Sequence, residues 1–331
     1  MTETPSSHEA PRSLVILAFA SVYFFWGGTF LAIRFAVQTI PPFLMAGIRH
    51  FTAGLILYAW TRFRGVPRPR RIHWRGAAIV GGLLLMCGNG GVSWAEQKVP
   101  SGIAALMVAT IPLWMVLINW MHGDSKRPSL GVSLGIVLGF AGTALLVLPA
   151  GKTGGHIDLL SALELTIASM CWAAGSLYSR KAHLPDSPLL ATAMEMISGG
   201  LLLLLFGTAI GEWPKFHWSL ISLRSGLSLG YLIVFGSLVG FTAYIWILRV
   251  STPAHVSTYA YVNPVVAVAL GSALAGEALT LQTLLATTII VAAVAIIIKF
   301  RTEQLPSGPR NVLALAEECP AIPEPESGLK S

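Results

Sequence analysis

The sequence predicts an all-α integral membrane protein whose ten transmembrane helices form two inverted five-helix repeats. Three observations carry this. Of 331 residues, 54% are hydrophobic and 11% charged, where a soluble domain carries about a quarter charged residues. The apolar residues gather into ten runs of about 20, the length a helix needs to cross a bilayer core. The runs also repeat in two sets of five. Barrel strands would alternate over about 10 residues, and residues 201–206 and 289–298 do not alternate.

In chain order the runs are 14–33, 43–61, 76–95, 101–121, 130–149, 159–179, 189–210, 226–248, 254–276 and 280–299. The first reads as a retained span, because no small-residue cleavage site follows it and nine further runs do. The chain divides into a first repeat, 14–149, a second, 159–300, and a tail, 302–331. The tail is rich in Pro, Glu and Ser and expected to be disordered. The connections leave no room for a soluble domain.

Lys and Arg near the span ends set orientation. Arg62, Arg64, Arg68, Arg70, Arg71 and Arg75 crowd one loop, which places both termini in the cytoplasm. That asymmetry accounts for the net charge of +7 and puts the loop against anionic headgroups; a nucleic-acid patch is the weaker reading, and no nucleic-acid partner is expected. Cys87 and Cys171 fall inside apolar runs and Cys319 in the tail, so neither a disulfide framework nor a metal site is implied. Gly151-Lys152-Thr153 lacks the upstream glycine of a phosphate loop, position 146 being Leu. No cofactor is implied.

Laying residues 26–55 over 172–201 without gaps pairs Trp26 with Trp172, Arg34 with Arg180, Pro42 with Pro188, and Gly54-Leu55 with Gly200-Leu201. Pro100 and Pro112 correspond more loosely to Pro253 and Pro264, followed by Gly123-Asp124 and Gly276-Glu277. Five spans per repeat is odd, so the halves lie in opposite orientation. Inverted repeats are an architecture of secondary transporters, where rocking exchanges access between the two sides.

Several stretches carry a resemblance: Trp26-Gly27-Gly28-Thr29 leading to Arg34 and Pro41-Pro42; Gly88-Asn89-Gly90 with Ala95-Glu96; Val99-Pro100-Ser101-Gly102-Ile103-Ala104-Ala105; and Ser257-Thr258-Tyr259-Ala260-Tyr261-Val262-Asn263-Pro264-Val265-Val266. Over residues 14 to about 300 the chain resembles the EamA-type drug/metabolite transporter superfamily, and within it the YedA-like branch. The resemblance implies a bacterial-type inner-membrane protein that exports amino acids or other small amphipathic metabolites.

Ionisable groups at membrane depth cost about 3 kcal/mol on insertion scales, so Arg49, His50, Glu164 and Glu195 are the gating or coupling candidates. Arg49 and Glu195 are repeat equivalents, and a salt bridge between them would close one side of a pathway or balance a zwitterionic substrate; snorkelling to headgroups is the bland alternative. Glu164 near a helix start is favoured by the dipole alone. Pro112 and Pro264 are expected to kink their helices and free carbonyls beside Asn89, Thr110 and Asn263, a polar surface suited to substrate. Thr29 lies beside that region. Trp26, Trp172, Trp94, Tyr259 and Tyr261 are the aromatic candidates for stacking on a substrate; core packing explains them about equally well. The spans 131–148 and 281–298 carry almost no polar groups, which suits lipid or a homodimer contact. The expected activity is thus alternating-access transport of a small molecule, with no enzymatic chemistry. A channel or scaffold is the alternative, and a membrane-embedded enzyme is less favoured still: Asp124, Asp158 and Asp186 lie in loops and no nucleophile motif is present.

Overall fold

The computed structural model describes residues 11–122, 127–148, 158–251, 253–256 and 258–303. Residues 304–331 of the tail, Cys319 among them, Gly123-Asp124 and Gly151-Lys152-Thr153 lie outside the described residues, whereas 302–303 continue the last helix. Among the described residues nine helices are long and apolar enough to cross a membrane: α1 Arg12–Ala36, α2 Pro42–Phe63, α3 Arg71–Ala95, α4 Ser101–Met121, α5 Leu130–Val147, α6 Leu159–Ser179, α7 Pro188–Ala209, α8 Leu223–Leu248 and, after α9, α10 Leu281–Phe300. The tenth, α9, is the shorter apolar helix Tyr259–Ala275. No strand occurs among the described residues. The chain is therefore an all-helical, multi-pass membrane protein.

Helix limits follow local chemistry. Pro42 opens α2 at its first position and Gly65, at φ 77°, follows its end. Pro188 opens α7, Ser187 Oγ accepts from Leu190 N, and Gly211, at φ 74°, follows. Glycine suits these two left-handed positions because it has no Cβ to clash. α3 begins five residues before the apolar run at 76, since its first turn is polar and His73 Nδ1 accepts from Arg70 N. The ninth run starts late as a continuous helix: a one-turn helix, Pro253–Val256, comes first and α9 begins at Tyr259.

The two expected kinks differ. α4 is interrupted at Ala109-Thr110, just before Pro112. α9 runs unbroken through Pro264, whose missing N–H removes only a bond to the first turn. Three helices instead widen into π-helical stretches: Val22–Trp26 in α1, Gly82–Asn89 in α3 and Leu232–Val239 in α8. Such stretches are rare and cluster at functional places.

The core is built on α2 against α7, which pack along their length. A Cβ on Gly54 would sit 2.7 Å from Ile197 N, and one on Gly200 would sit 2.5 Å from Phe51 N. The partners exchange under the same offset of 146 residues, so the crossing is reciprocal. Close approach at small residues is how helices associate without a hydrophobic driving force. α5 and α10 pack on each other as well, Gly135 against Ile297 and Gly142 against Ile290, and Gln282 Nε2 donates to the carbonyls of Leu145 and Leu148. These two apolar spans thus spend one face on each other and leave residues such as Leu134 and Val137 outward.

Candidate functional site

The π stretch of α8 draws side chains of α1 and α2 onto Gly236. Trp26 Nε1 donates to Gly236 O at 3.1 Å, and Arg49 Nε donates to the neighbouring Ser237 Oγ at 3.1 Å. Thr29 Oγ1 turns back to Trp26 O at 2.6 Å. A Cβ on Gly236 would lie 3.0 Å from Thr29 Cγ2 and 3.1 Å from Arg49 Nη2. Arg49 is 3% exposed, and its Nη1 has no partner. Tyr231, one turn earlier on α8, donates to Phe25 O at 3.2 Å. Around Trp26 stand Phe241, Tyr244 and Tyr259, with ring centroids 5.2, 5.1 and 5.5 Å away.

A second cluster surrounds the π stretch of α3. His50 Nε2 donates to Asn89 Oδ1 at 3.1 Å, while Nδ1 has no partner. The six-membered face of Trp172 closes on Gly88, and Glu164 packs against Gly91. Thus the equivalent residues Trp26 and Trp172 each abut the π stretch of the other half. Asn263 is 8% exposed with Oδ1 unpartnered, and its backbone oxygen faces Gly27. Thr110 is buried and bonds its own chain at Met107 O, 2.6 Å away. Tyr261 is half-buried in the first turn of α9, and on the preceding residue pair Tyr23 and Thr258 join hydroxyls.

Two sequence candidates stand apart. Trp94 lies at the end of α3, with Lys98 Nζ 6.0 Å over its ring. Glu195 does not meet Arg49, and the expected salt bridge is absent: the two ion pairs among the described residues are Arg34–Glu277 and Lys98–Asp158. The register explains it. Gly47 faces Leu204, Gly54 faces Ile197 and Gly200 faces Phe51 in one antiparallel alignment. Arg49 and Glu195 therefore lie on opposite sides of the crossing, about seven residues or 10 Å apart along the helix axes at 1.5 Å per residue. Symmetry-equivalent residues touch only where the axis passes.

The end of the bundle that carries Arg34 is shut by residues the sequence did not single out as a site. Glu277 Oε1 accepts from Ser101 N at 2.7 Å and Ser101 Oγ at 2.8 Å, and Oε2 from Gly102 N at 3.0 Å. A carboxylate thereby caps the first amides of α4, where helix geometry leaves donors unpaired. Arg34 Nε lies 3.4 Å from the same Oε1, and Nη1 donates to Val99 O at 2.7 Å and Glu96 O at 3.2 Å. Glu212 does the like for α2, accepting from Leu44 N at 2.9 Å and Phe43 N at 3.3 Å. Glu96 is 1% exposed and neither carboxyl oxygen has a partner. Burial, and then the charge of Glu277, hold its carboxyl well above the usual range. Gly276-Glu277 was visible as a repeated pair, but nothing local says which helix start it caps.

Closure is one-sided. The first half of α4, Ser101–Val108, packs on α9, with Gly102 against Val268. Its second half, Ile111–Met121, packs on α6, and among the described residues no comparable packing joins it to α9. No cluster of three metal-ligating side chains occurs among the described residues.

Residues 13–148 and 159–299 each match the EamA-like transporter family. The chain belongs to this family. It shares 40% identity over 283 residues with the uncharacterized inner membrane transporter YedA of Escherichia coli K12, covering 85% of this chain and 89% of that one. It shares 24% with the uncharacterized transporter YvbV of Bacillus subtilis, over 87% and 93% of the two chains. A WAT1-related chloroplastic protein of Arabidopsis thaliana is 28% identical over 75% of this chain and 60% of its own. A solved crystal structure covering 89% of this chain and 100% of that one, at 19% identity and a TM-score of 0.59, shows a common fold. This EamA-like protein is a membrane transporter.

Proposed function

We propose that the chain is a secondary-active carrier of two inverted five-helix repeats, which moves amino-acid-like or amphipathic small molecules outward by alternating access. The observation that carries the reading is the one-sided closure. If the halves are related by a two-fold in the membrane plane, the contact of α4 with α9 at the Arg34 end has a counterpart at the other end. Among the described residues one contact is made and the other is not, as a two-state rocker requires of each of its states. The reciprocal Gly54 and Gly200 contacts and the two family matches support the same symmetry.

The arginine-rich connection 62–75 supports a cytoplasmic placement of its end of the bundle in a bacterial-type inner membrane. The described state is then closed to the periplasm and unlatched toward the cytoplasm. Among the described residues no soluble domain stands beside the bundle, and in this reading the substrate gradient or an ion gradient supplies the energy.

Counterflow in proteoliposomes tests the reading, with labelled amino acids and polyamines and an imposed proton gradient switched on and off. Saturable exchange stimulated by unlabelled substrate on the opposite side is expected. Flux that neither saturates nor responds to counter-substrate would identify a channel instead.

A further inference from the structure

Arg49 poses a charge problem that the fold leaves unsolved. Its guanidinium is 3% exposed at membrane depth, its Nε has only the neutral Ser237 hydroxyl, and its Nη1 has no partner. No carboxylate lies within ion-pair distance of it among the described residues. The neighbours that face it offer no anion: Thr29 from α1, and Gly236, Ser237 and Tyr231 from α8. On its own helix, His50 is turned to Asn89. Glu96 is within electrostatic range but makes no contact with it. An arginine held this way is normally paired, because an uncompensated buried charge costs several kcal/mol; the planar fork of a guanidinium takes a carboxylate or a phosphate bidentately, and a single positive charge is balanced by the one negative charge of a carboxylate rather than by a phosphate dianion.

The surroundings say what such a carboxylate would be attached to. The missing side chain of Gly236 lets Thr29 and the Arg49 guanidinium close on the backbone of α8, a Cβ there standing only 3.0 Å from Thr29 Cγ2 and 3.1 Å from Arg49 Nη2. The wall beyond it is Trp26, its indole N–H already spent on Gly236 O, backed by Phe241, Tyr244 and Tyr259. A surface whose polar atoms are used up presents ring faces.

We infer that Arg49 binds the carboxylate of the transported molecule, whose apolar or aromatic body rests against the Trp26 cluster. The ligand class is apolar carboxylates, amino acids included; polyamines and simple organic cations are excluded. This rests on the carrier reading and narrows it.

The test is the thermal unfolding midpoint of the full-length protein in nanodiscs, titrated with 3-phenylpropionate, L-phenylalanine, phenethylamine and spermidine. Both carboxylates raise the midpoint of the wild type and neither amine does. Arg49→Lys, which keeps charge and loses the fork, needs about tenfold more carboxylate for the same shift, and Arg49→Gln shows none. Gly236→Ala keeps the guanidinium but sets a methyl 3.1 Å from its Nη2, displacing the fork, and weakens the carboxylate shift even should Arg49→Gln fail to fold. The inference is overturned by no shift with either carboxylate, by an equal shift with phenethylamine, or by an undiminished carboxylate shift in both Arg49→Lys and Gly236→Ala. Counterflow of labelled L-phenylalanine and phenethylamine separates the two readings. A carboxylate-selective shift without counterflow refutes the carrier and leaves the site, whereas counterflow of phenethylamine without any carboxylate shift refutes the site and leaves the carrier.

Discussion

Arg34 Nε lies 3.4 Å from Glu277 Oε1, the same oxygen that accepts from the backbone and hydroxyl of Ser101. One carboxylate therefore ties the end of α1 to the start of α4 and the end of α9. Glu277→Ala leaves the first amides of α4 uncapped, a loss of about 1–2 kcal/mol, and lowers the unfolding midpoint by a few degrees. It also loosens the closure. Val99, 1% exposed beside this cluster, replaced by Cys, should react slowly with a membrane-impermeant maleimide when Glu277 is present and several-fold faster in Glu277→Ala. Equal rates in the two backgrounds would show that the carboxylate caps a helix without holding the end shut.

Glu96 gives this end a dependence on pH. Its carboxyl is pushed well up by burial and by Glu277, so the protonated form is the one the fold favours. A carboxyl whose folded pKa is raised contributes stability that is fully present below its unfolded value, about 4.3, and is lost as pH rises through the folded value. The unfolding midpoint should fall as pH rises from about 4.3 toward the raised folded value, with a slope of at most about 1.4 kcal/mol per pH unit from this group. Glu96→Gln, neutral at every pH, flattens that fall and is the more stable protein at about pH 9. A wild type and a Glu96→Gln protein with parallel profiles would remove Glu96 as the source.

Exchanging charges between Arg49 and Glu195 discriminates contact from equivalence. Because the helices cross between them, the double variant Arg49→Glu, Glu195→Arg has no pair to restore, and its losses in stability should add to within about 0.5 kcal/mol of the two single variants. Recovery beyond the better single variant would mean that the two side chains meet in another state of the transport cycle.

Glycines sort by what a methyl group would meet. Gly54→Ala and Gly200→Ala drive a Cβ to 2.7 Å and 2.5 Å from backbone nitrogens of Ile197 and Phe51, and each should cost about 1–3 kcal/mol. Their equivalence predicts similar losses, read as two similar drops in unfolding midpoint. Gly230, helical in α8 with nothing within 4 Å of its Cβ position, is the control. Gly230→Ala should be neutral or stabilising by up to about 1 kcal/mol, the helix propensity gained.

The apolar runs gave away the number of helices and, to within a few residues, where they lie, since hydrocarbon thickness dictates their length. The gapless match of 26–55 with 172–201 was legible for the same reason that α2 and α7 now share a proline start and a glycine stop. Polar first turns hid the true start of α3, and the one-turn helix before α9 breaks a run that hydropathy reads as continuous. The π stretches had no signature, because a wider hydrogen-bond register asks for no particular residue. The partners of Glu277 and Arg49 were illegible too. Which helix start a carboxylate reaches, or which acid an arginine misses, is decided by packing between helices far apart in sequence. Arg49 and Glu195 share the 146-residue offset of the sequence match, but proximity does not follow from that offset away from the crossing.

At the crossing of α2 and α7 the closest parts are main chain and Gly rather than interlocked side chains. A joint of that kind has no teeth. When two helices meet through ridges and grooves, a change in crossing angle must lift one row of side chains over another. Here the resistance to swivelling is dispersion, tenths of a kcal/mol for each atom pair, and the surfaces can turn while remaining in touch. A contact this close is thus also a smooth bearing.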